Sequence, residues 1–389
     1  MTDDKFGVYI HIPYCLQRCT YCDFATYVFN EILPPEKYVS LVKSEIQLRS
    51  VIYNPHKKQI PLSTIYFGGG TPSLIPAELI VDLISELAKH GFTTGPQTEV
   101  TIEINPATVD EKKLNTYLSN GVNRFSVGAQ TFSDKHLKAV HREHNSTQTI
   151  QTLSLLKKYN LNFSFDLLFA LPHQTVNELK YDVEKSVELG ASHISPYCLT
   201  VPEGHPLSKD RPLDTDQVEM FGIIHEGLTQ TGFNRYEISN YSKPSFESKH
   251  NLLYWTDENY WGLGLSAHSY LKQNEASPWG QRFWNASNIN IYEKEILAKQ
   301  AAPSENQIER LKKNQSLTDF CHTALRLENG IDLQKLTTKF GNDNLFSVLN
   351  ISEKLISRNL LIKTDSLLRL TQTGILISNQ VFEEFTFLE

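Results

Sequence analysis

The sequence of 389 residues predicts an α/β protein. Its main part is expected to be a partial, three-quarter parallel β/α barrel of about six strands, followed by a small, mostly helical, winged-helix-like C-terminal domain. Three observations support this fold class. Short apolar runs alternate with amphipathic segments in the first half of the chain, residues of unusual chemistry follow those runs, and a helical pattern returns near the C-terminus.

The predicted strands are short and often apolar on both faces, as buried parallel strands are. They are Gly7–Ile12, Thr64–Phe67, Glu99–Ile104, Arg124–Val127, Asn162–Leu168 and His193–Tyr197. The predicted helices between them are Tyr38–Leu48, Ala77–Lys89, Glu111–Leu118, Thr147–Lys158 and Val176–Leu189. Because such crossovers are right-handed, this order gives a parallel sheet with its chemistry at the carboxyl ends of the strands. These units are too few for a closed eight-stranded barrel.

Changes in pattern divide the chain into three parts. Residues 1–235 carry the strand–helix repeat, residues 236–300 form an aromatic-rich connecting segment with little helical period, and residues 301–389 are again helical. In the last part, helices are expected at Gln307–Lys313, Asp319–Arg326, Asp332–Phe340 and Leu345–Ser357. The runs Leu360–Lys363 and Leu367–Leu370 resemble a short hairpin.

Composition limits the partners and the compartment. The net charge of −7 and the lack of a Lys/Arg run argue against a nucleic-acid partner. No stretch approaches the roughly 20 apolar residues of a membrane span. The N-terminus is acidic and then enters a strand, unlike a signal peptide. A cytoplasmic protein is expected, and peripheral contact with a membrane is left open.

Three of the five cysteines, Cys15, Cys19 and Cys22, lie within eight residues. Their clustering and the odd total favour a metal site in a reducing compartment over disulfides. Cys198 and Cys321 stand alone and are expected to be buried as small hydrophobic residues.

Two metals suit the three-cysteine loop. A [4Fe-4S] cluster, usually held by four thiolates, would here keep one iron open, and the amino and carboxylate groups of S-adenosylmethionine can chelate such an iron. Zinc is the alternative, with His11 as its fourth ligand.

The spacing CxxxCxxC after one strand and GGGTP after the next is similar to the signature of the radical S-adenosylmethionine (radical SAM) superfamily. Nearly the whole chain resembles the coproporphyrinogen dehydrogenase branch of that superfamily. The matching segments are HIPYCLQRCTYCDF, GGGTPS, EINP, RFSVGAQTF, HREH, DLLFALPHQT, RLENGIDL and LTQTGILISNQ. The resemblance implies a [4Fe-4S] cluster on the three cysteines, S-adenosylmethionine at its open iron, and an electron donor for the cluster.

Two features distinguish the heme chaperones of this branch from its oxidases. The oxidase pattern CxxxCxxCxC ends in a cysteine where this chain has Phe24, and His250–Trp255 fits the HNxxYW motif that resembles the chaperones'. The resemblance therefore implies a protein that binds heme and transfers it to an acceptor protein. The alternative is an enzyme, an oxygen-independent coproporphyrinogen III dehydrogenase.

The resemblance also assigns residues to S-adenosylmethionine. Tyr9 is expected to contact it, the Gly69-Gly70-Thr71 turn to meet its amino group, and Tyr21 to pack beside the cluster. Glycines in this turn would let the backbone approach the ligand.

Glu103 ends the third predicted strand, where burial of a carboxylate is costly unless it is paired or bonds a ligand. Gln130, Arg142 and Asp166 match oxidase positions that bind a second S-adenosylmethionine. Alternatively, Gln130 and Asp166 bond loop backbone, and Arg142 pairs with Glu143 or with a helix end.

The heme ligand is expected in the aromatic segment, because heme iron accepts His, Cys, Met or Tyr. His250 is the first candidate, with Tyr254 and Trp255 offering surfaces for the macrocycle, and His268 is the second. The alternative is that these aromatic residues form core or interface and that His250 is merely hydrogen-bonded.

Overall fold

The computed structural model describes residues 5–388. Its strands are β1 (Phe6–Ile12), β2 (Tyr14–Cys15), β3 (Tyr27–Val28), β4 (Ile60–Pro61), β5 (Thr64–Gly69), β6 (Phe92–Thr93), β7 (Glu99–Ile104), β8 (Arg124–Gln130), β9 (Asn162–Phe169), β10 (His193–Cys198), β11 (Asn234–Glu237), β12 (Asn240–Ser242), β13 (Asn259–Leu263), β14 (His268–Leu271), β15 (Gln281–Trp284), β16 (Ile308–Arg310), β17 (Ile331–Asp332), β18 (Leu361–Lys363) and β19 (Leu367–Leu370). Its α-helices are α1 (Pro35–Tyr53), α2 (Ala77–Lys89), α3 (Glu111–Ser119), α4 (Asp134–Ala139), α5 (Ser146–Lys158), α6 (Val176–Glu188), α7 (Asp214–Gln230), α8 (Lys249–Trp255), α9 (Ile289–Leu297), α10 (Lys313–Arg326), α11 (Leu333–Phe340), α12 (Asn342–Ser357), α13 (Gln372–Leu376) and α14 (Ser378–Glu384).

A curved parallel sheet forms the main body and confirms the predicted α/β partial barrel. The described residues build a twelve-stranded sheet in the order β11-β12-β10-β9-β8-β7-β5-β1-β13-β14-β15-β16. Neighbouring strands from β10 to β13 pair in parallel. The six predicted strands all lie in this parallel part, where side chains such as Val8, Ile10 and Phe67 are fully buried. The expectation that these strands are apolar on both faces is wrong for β7, β8 and β9. One face packs into the apolar core, and the other carries polar residues such as Glu103, Ser126 and Asp166.

The aromatic segment continues the sheet, which the sequence did not predict. β13 is a further parallel strand beside β1, and β14 and β15 extend the edge by antiparallel pairing. In β13, Trp261 is fully buried and stacks on Tyr53 at 4.6 Å between ring centroids. The next residue, Gly262, packs so closely that a Cβ would lie 2.1 Å from the carbonyl oxygen of His268. Large rings beside glycine replace the usual β-branched run, so the strand pattern is concealed.

A second apolar core lies at the C-terminal end of the described chain. It contains buried residues of α10, α11, α12 and α14 together with β17, β18 and β19. The predicted hairpin is confirmed, since β18 and β19 pair antiparallel and β17 adds a third strand. The predicted helix at Gln307–Lys313 is wrong: β16 occupies its centre and pairs with β15, where Ile308 lies opposite Phe283.

The short helix α8 connects the two cores. It contacts β1 and β5 of the main sheet and α10 of the C-terminal region. The HNxxYW motif therefore lies where the two apolar cores meet. Within residues 5–388, no helix combines the length and the apolar character that crossing a bilayer requires.

Candidate functional site

The cysteine loop leaves β1 and is held by its own backbone. Cys15 lies in β2, which pairs with β3, and the amide of Phe29 donates to the Cys15 carbonyl at 2.8 Å. The amide of Cys22 donates to the Cys19 carbonyl at 3.2 Å, and Arg18 donates to the Cys22 carbonyl at 3.1 Å. All three cysteines are half-buried free thiols. The loop is thus folded around thiols that stay accessible from one side.

These thiols border a cavity of about 490 Å³ at the carboxyl ends of the parallel strands. It brings together most of the residues predicted from the sequence: Cys15, Cys19, Cys22, Tyr21, Gly69, Gly70, Thr71, Glu103, Gln130, Arg142 and Asp166. A cavity of this size suits a small-molecule ligand, and the carboxyl edge is where parallel sheets bind ligands.

The glycine turn after β5 packs tightly against the end of β1. Gly69 has a φ of +113°, and a Cβ there would lie 2.4 Å from the ring of His11. At Gly70 a Cβ would lie 2.6 Å from the Tyr14 carbonyl oxygen. The glycines are therefore required for packing inside the protein, whereas the sequence suggested ligand approach as the reason. Their backbone still lines the cavity.

Glu103 is a paired carboxylate. Oε1 accepts from the Tyr66 hydroxyl at 2.8 Å, and Oε2 accepts from the Gly69 amide at 3.1 Å. Burial raises the pKa of Glu103 to about 7, although both hydrogen bonds favour the charged form. The prediction that this carboxylate needs a partner is met by Tyr66 and by the glycine turn.

Among the other polar side chains of the cavity, Asp166 bonds a side chain, and Arg142 bonds one side chain and one backbone carbonyl. Asp166 accepts from the Ser126 hydroxyl at 3.3 Å, and burial raises its pKa to about 6. Arg142 donates to the Cys19 sulfur at 3.5 Å and to the Gly128 carbonyl, not to Glu143. Gln130 is buried at the end of β8 with a left-handed φ of +69°.

The cavity presents both signs of charge. Glu103 and Asp166 supply carboxyl groups, while Arg124 and Arg142 supply guanidinium groups. Arg124, whose Nε lies 4.0 Å from a carboxylate oxygen of Glu99, is part of this lining, and the sequence patterns did not single out this residue. Its position at the start of β8 gave no signal, because catalytic and binding residues are expected at the other end of a strand.

His11 is not available as a fourth zinc ligand in this arrangement. Its Nδ1 bonds the Tyr9 hydroxyl at 3.0 Å, and its Nε2 bonds the Ala25 carbonyl at 2.9 Å. Tyr9 lies outside the cavity and borders a neighbouring groove instead. In the part of the chain from residue 5 to residue 388, no three His, Cys, Asp or Glu side chains converge on one point as a mononuclear site requires.

His250 is buried, with 1% of its surface exposed, and both ring nitrogens are bonded. Nδ1 and the Thr64 hydroxyl are 2.6 Å apart, and Nε2 and the Tyr254 hydroxyl are 2.8 Å apart. The ring also stacks on Tyr66 at 5.0 Å. This geometry gives no support to His250 as a heme ligand and agrees with the alternative of a hydrogen-bonded core histidine.

The other residues of the HNxxYW motif face three directions. Asn251 lines the cysteine cavity. Tyr254 borders the same groove as Tyr9. Trp255 lies under Arg326, whose guanidinium carbon is 4.5 Å from the centroid of the tryptophan ring. Trp255 therefore joins α8 to α10 and is not part of the cysteine cavity.

The two isolated cysteines differ. Cys321 is buried in the C-terminal core as expected. The expectation for Cys198 is wrong: it is exposed at the end of β10 and lines the cysteine cavity. Its thiol lies 3.5 Å from the Gln217 side-chain oxygen on α7. Because side chains alternate along a strand, the last residues of β10 can point out of the core. The sequence analysis did not predict this exposure of Cys198.

The parallel partial barrel and the cysteine cavity at its carboxyl edge define a radical SAM protein, and the Radical SAM superfamily profile matches residues 9–185. The profile of the HemN C-terminal domain matches residues 311–377. Among curated proteins, the heme chaperone HemW of Lactococcus lactis is 33% identical, covering 97% of each chain. That of Bacillus subtilis is 30% identical, covering 97% of this chain and 98% of the relative. The chain belongs to the HemW family.

The fold also matches a solved structure. Coproporphyrinogen III oxidase (HemN) from Escherichia coli, described as a radical SAM enzyme, superposes with a TM-score of 0.82. The match covers 98% of this chain and 90% of that chain at 18% identity. At this identity the likeness concerns the fold alone.

Proposed function

We propose that this protein is a heme chaperone, which binds heme and passes it to an acceptor protein. The observation that carries the proposal is the similarity to heme chaperones over 97% of the chain, including the C-terminal region. The proposal extends to a [4Fe-4S] cluster on Cys15, Cys19 and Cys22 and to S-adenosylmethionine at its open iron.

The cysteine loop provides the sulfur atoms that a [4Fe-4S] cluster needs as ligands. Three thiols on one backbone-braced loop border one cavity, and His11, the imidazole nearest in sequence, is already bonded on both nitrogens. Three thiolates hold three irons of a cubane and leave the fourth for another ligand. When bound and reduced, the cluster supplies an electron that can cleave the sulfonium of S-adenosylmethionine.

The charged side chains of the cavity are complementary to the charged groups of S-adenosylmethionine. The ligand carries ammonium, sulfonium and carboxylate groups, and the cavity offers Glu103 and Asp166 together with Arg124 and Arg142. Burial raises the pKa of Glu103, and a cation bound beside it would lower that pKa and favour the ionised form, which accepts hydrogen bonds on both oxygens. The glycine turn contributes backbone groups to the same wall. The chain's own role is to bind and orient this ligand, and we assign Gln130, Arg142 and Asp166 to the same cavity without assigning a second ligand molecule.

Phe24 argues against the alternative oxidase function. This side chain stands where the oxidase pattern has a cysteine, and it is 63% exposed at the edge of the cysteine cavity. A large exposed apolar residue beside a cavity is suited to contact a partner or an apolar ligand. We therefore place heme binding above oxidation of coproporphyrinogen.

The test is a heme titration of the full chain, followed by absorbance and by separation of bound from free heme. A saturable heme complex that survives gel filtration supports the function. Heme that elutes free of wild-type protein, with or without a reconstituted cluster, contradicts it.

A further inference from the structure

Asn251 is the residue of α8 that lines the cysteine cavity in the described chain, and Arg124 lines the same cavity. The Asn251 backbone amide donates to the Ser248 hydroxyl at 3.4 Å. Its carbonyl lies in the first turn of α8, where helical carbonyls accept from the following turn. Its half-buried side-chain amide makes no hydrogen bond within residues 5–388. The wall of the cavity therefore holds an amide group that is available to a ligand.

Glu99 fixes the start of α8. Its Oε2 accepts from the Lys249 amide at 3.1 Å, and its Oε1 accepts from the His250 amide at 3.1 Å. The first amides of a helix have no partner inside the helix, so a carboxylate placed there satisfies them. Glu99 is buried at the start of β7, and its Oε2 lies 4.0 Å from the Arg124 Nε. The main sheet therefore holds the backbone that directly precedes Asn251.

The order of α8 depends on contacts with the rest of the protein. The helix has seven residues, and isolated helices of that length are marginal in water. His250 bonds the Thr64 and Tyr254 hydroxyls. Trp255 packs under a guanidinium of α10. These attachments lie within the protein, whereas Asn251 can gain a further contact from a molecule in the cavity.

We propose that Asn251 is a binding residue of the cysteine cavity, whose side-chain amide bonds the ligand there, and that α8 is more stable when the cavity is occupied. This inference rests on the proposed function, in which the ligand is S-adenosylmethionine. An amide offers N–H donors and a carbonyl acceptor, and the adenine and ribose groups of S-adenosylmethionine include partners for both. A ligand that contacts only the ordered helix stabilises the ordered state. Glu99 is the positioning residue, because it holds the helix start.

The first experiment measures S-adenosylmethionine binding to the reconstituted full chain by equilibrium dialysis. Asn251→Ala should lose affinity by roughly threefold to tenfold, as expected when one or two neutral hydrogen bonds are lost. Asn251→Leu should lose as much, because an apolar side chain of similar size fills the space without bonding. Asn177→Ala is the control, since Asn177 is an exposed asparagine in the first turn of α6. This control should match wild type.

The second experiment follows amide hydrogen exchange of residues 249–255 with the cavity empty and saturated. S-adenosylmethionine should slow this exchange in wild type, and it should do so less in Asn251→Ala at equal occupancy. Glu99→Gln should also weaken S-adenosylmethionine binding. Because Glu99 acts through Asn251, its effect on affinity should not add to that of Asn251→Ala, whereas two independent structural losses would add.

The outcomes separate this proposal from the proposed function. If wild type and Asn251→Ala bind S-adenosylmethionine equally well, the proposal is overturned and the cavity remains the ligand site. Full affinity in Asn251→Leu also overturns it, because the contact would then be packing. Unchanged exchange of α8 in saturated wild type does so without any variant, and additive losses remove Glu99 as the positioning residue. If wild type binds no S-adenosylmethionine, that part of the proposed function itself fails. Circular dichroism of each variant verifies that the fold is intact.

Discussion

Glu103 fixes the glycine turn: its Oε2 accepts a hydrogen bond from the Gly69 amide at 3.1 Å. The carboxylate thereby joins the end of β7 to the turn after β5, and Tyr66 holds its other oxygen. The geometry of the cavity wall therefore depends on a carboxyl group whose pKa is about 7, so that both its protonated and its ionised form are present near neutral pH.

Replacing Glu103 by Gln should change how stability depends on pH. The folded-state pKa of Glu103 is about 7, above its ordinary value of 4.5. The carboxyl therefore favours folding below pH 4.5, and this contribution is lost as the pH rises to 7. Glutamine does not titrate, so the stability of wild type relative to Glu103→Gln should fall between those pH values, by on the order of 1–3 kcal/mol.

The measurement is urea unfolding of the cluster-free chain at a series of pH values. Tyr66→Phe is the matched control, because it removes one hydrogen bond and leaves the carboxyl. A difference between wild type and Glu103→Gln that stays constant from pH 4.5 to pH 7 contradicts the assigned pKa.

Serine in place of Cys15, Cys19 or Cys22 should remove the cluster, because an alcohol is a poor ligand for cluster iron. Wild-type protein reconstituted without oxygen should carry about four irons and four sulfides per chain. Cys198→Ser is the informative control, since Cys198 lines the same cavity and should not be needed. Iron and sulfide analysis decides: loss of the cluster in Cys198→Ser would mean that a fourth cysteine occupies the iron assigned to S-adenosylmethionine.

Alanine at Gly69 should weaken S-adenosylmethionine binding by displacing the turn. The added Cβ would lie 2.4 Å from the His11 ring, at a backbone φ of +113°. Strain and overpacking of this kind cost about 1–3 kcal/mol. The readout is the EPR signal of the reduced cluster with increasing S-adenosylmethionine, and Gly95→Ala serves as control because a Cβ there meets nothing within 4 Å. Equal responses from both variants would show that the turn does not shape the ligand site.

Alanine at His250 should destabilise the fold without changing the heme spectrum. The change leaves the Thr64 and Tyr254 hydroxyls without their shared partner in a buried site, at an expected cost of roughly 2–4 kcal/mol. Thermal unfolding and the Soret spectrum are measured together, and an altered axial-ligand spectrum in this variant would restore His250 as the ligand.

The sequence predicted what depends on local pattern. The strand at Glu99–Ile104 was found to the residue because Val100, Ile102 and Ile104 alternate with polar residues and are buried in a parallel sheet. The cysteine spacing and the glycine turn likewise pointed to one edge, where the structure places both. β13 was missed because Trp261 and Gly262 fit only through partners far along the chain.

The environment of His250 also lay beyond local pattern. Its Nδ1 partner, Thr64, is 186 residues away, so the sequence could not show that the imidazole is fully bonded. Motifs therefore located the segments, whereas tertiary contacts determine how each side chain is bonded.

The central claim, heme binding without porphyrinogen oxidation, is tested most directly by one anaerobic comparison. Full-length protein with a reconstituted, reduced cluster and S-adenosylmethionine is divided and supplied with heme or with coproporphyrinogen. We predict that heme is bound in a saturable complex and that coproporphyrinogen is recovered unchanged by chromatography. Repeated conversion of coproporphyrinogen with release of carbon dioxide, and no retention of heme, would contradict the chaperone function and establish the enzyme instead.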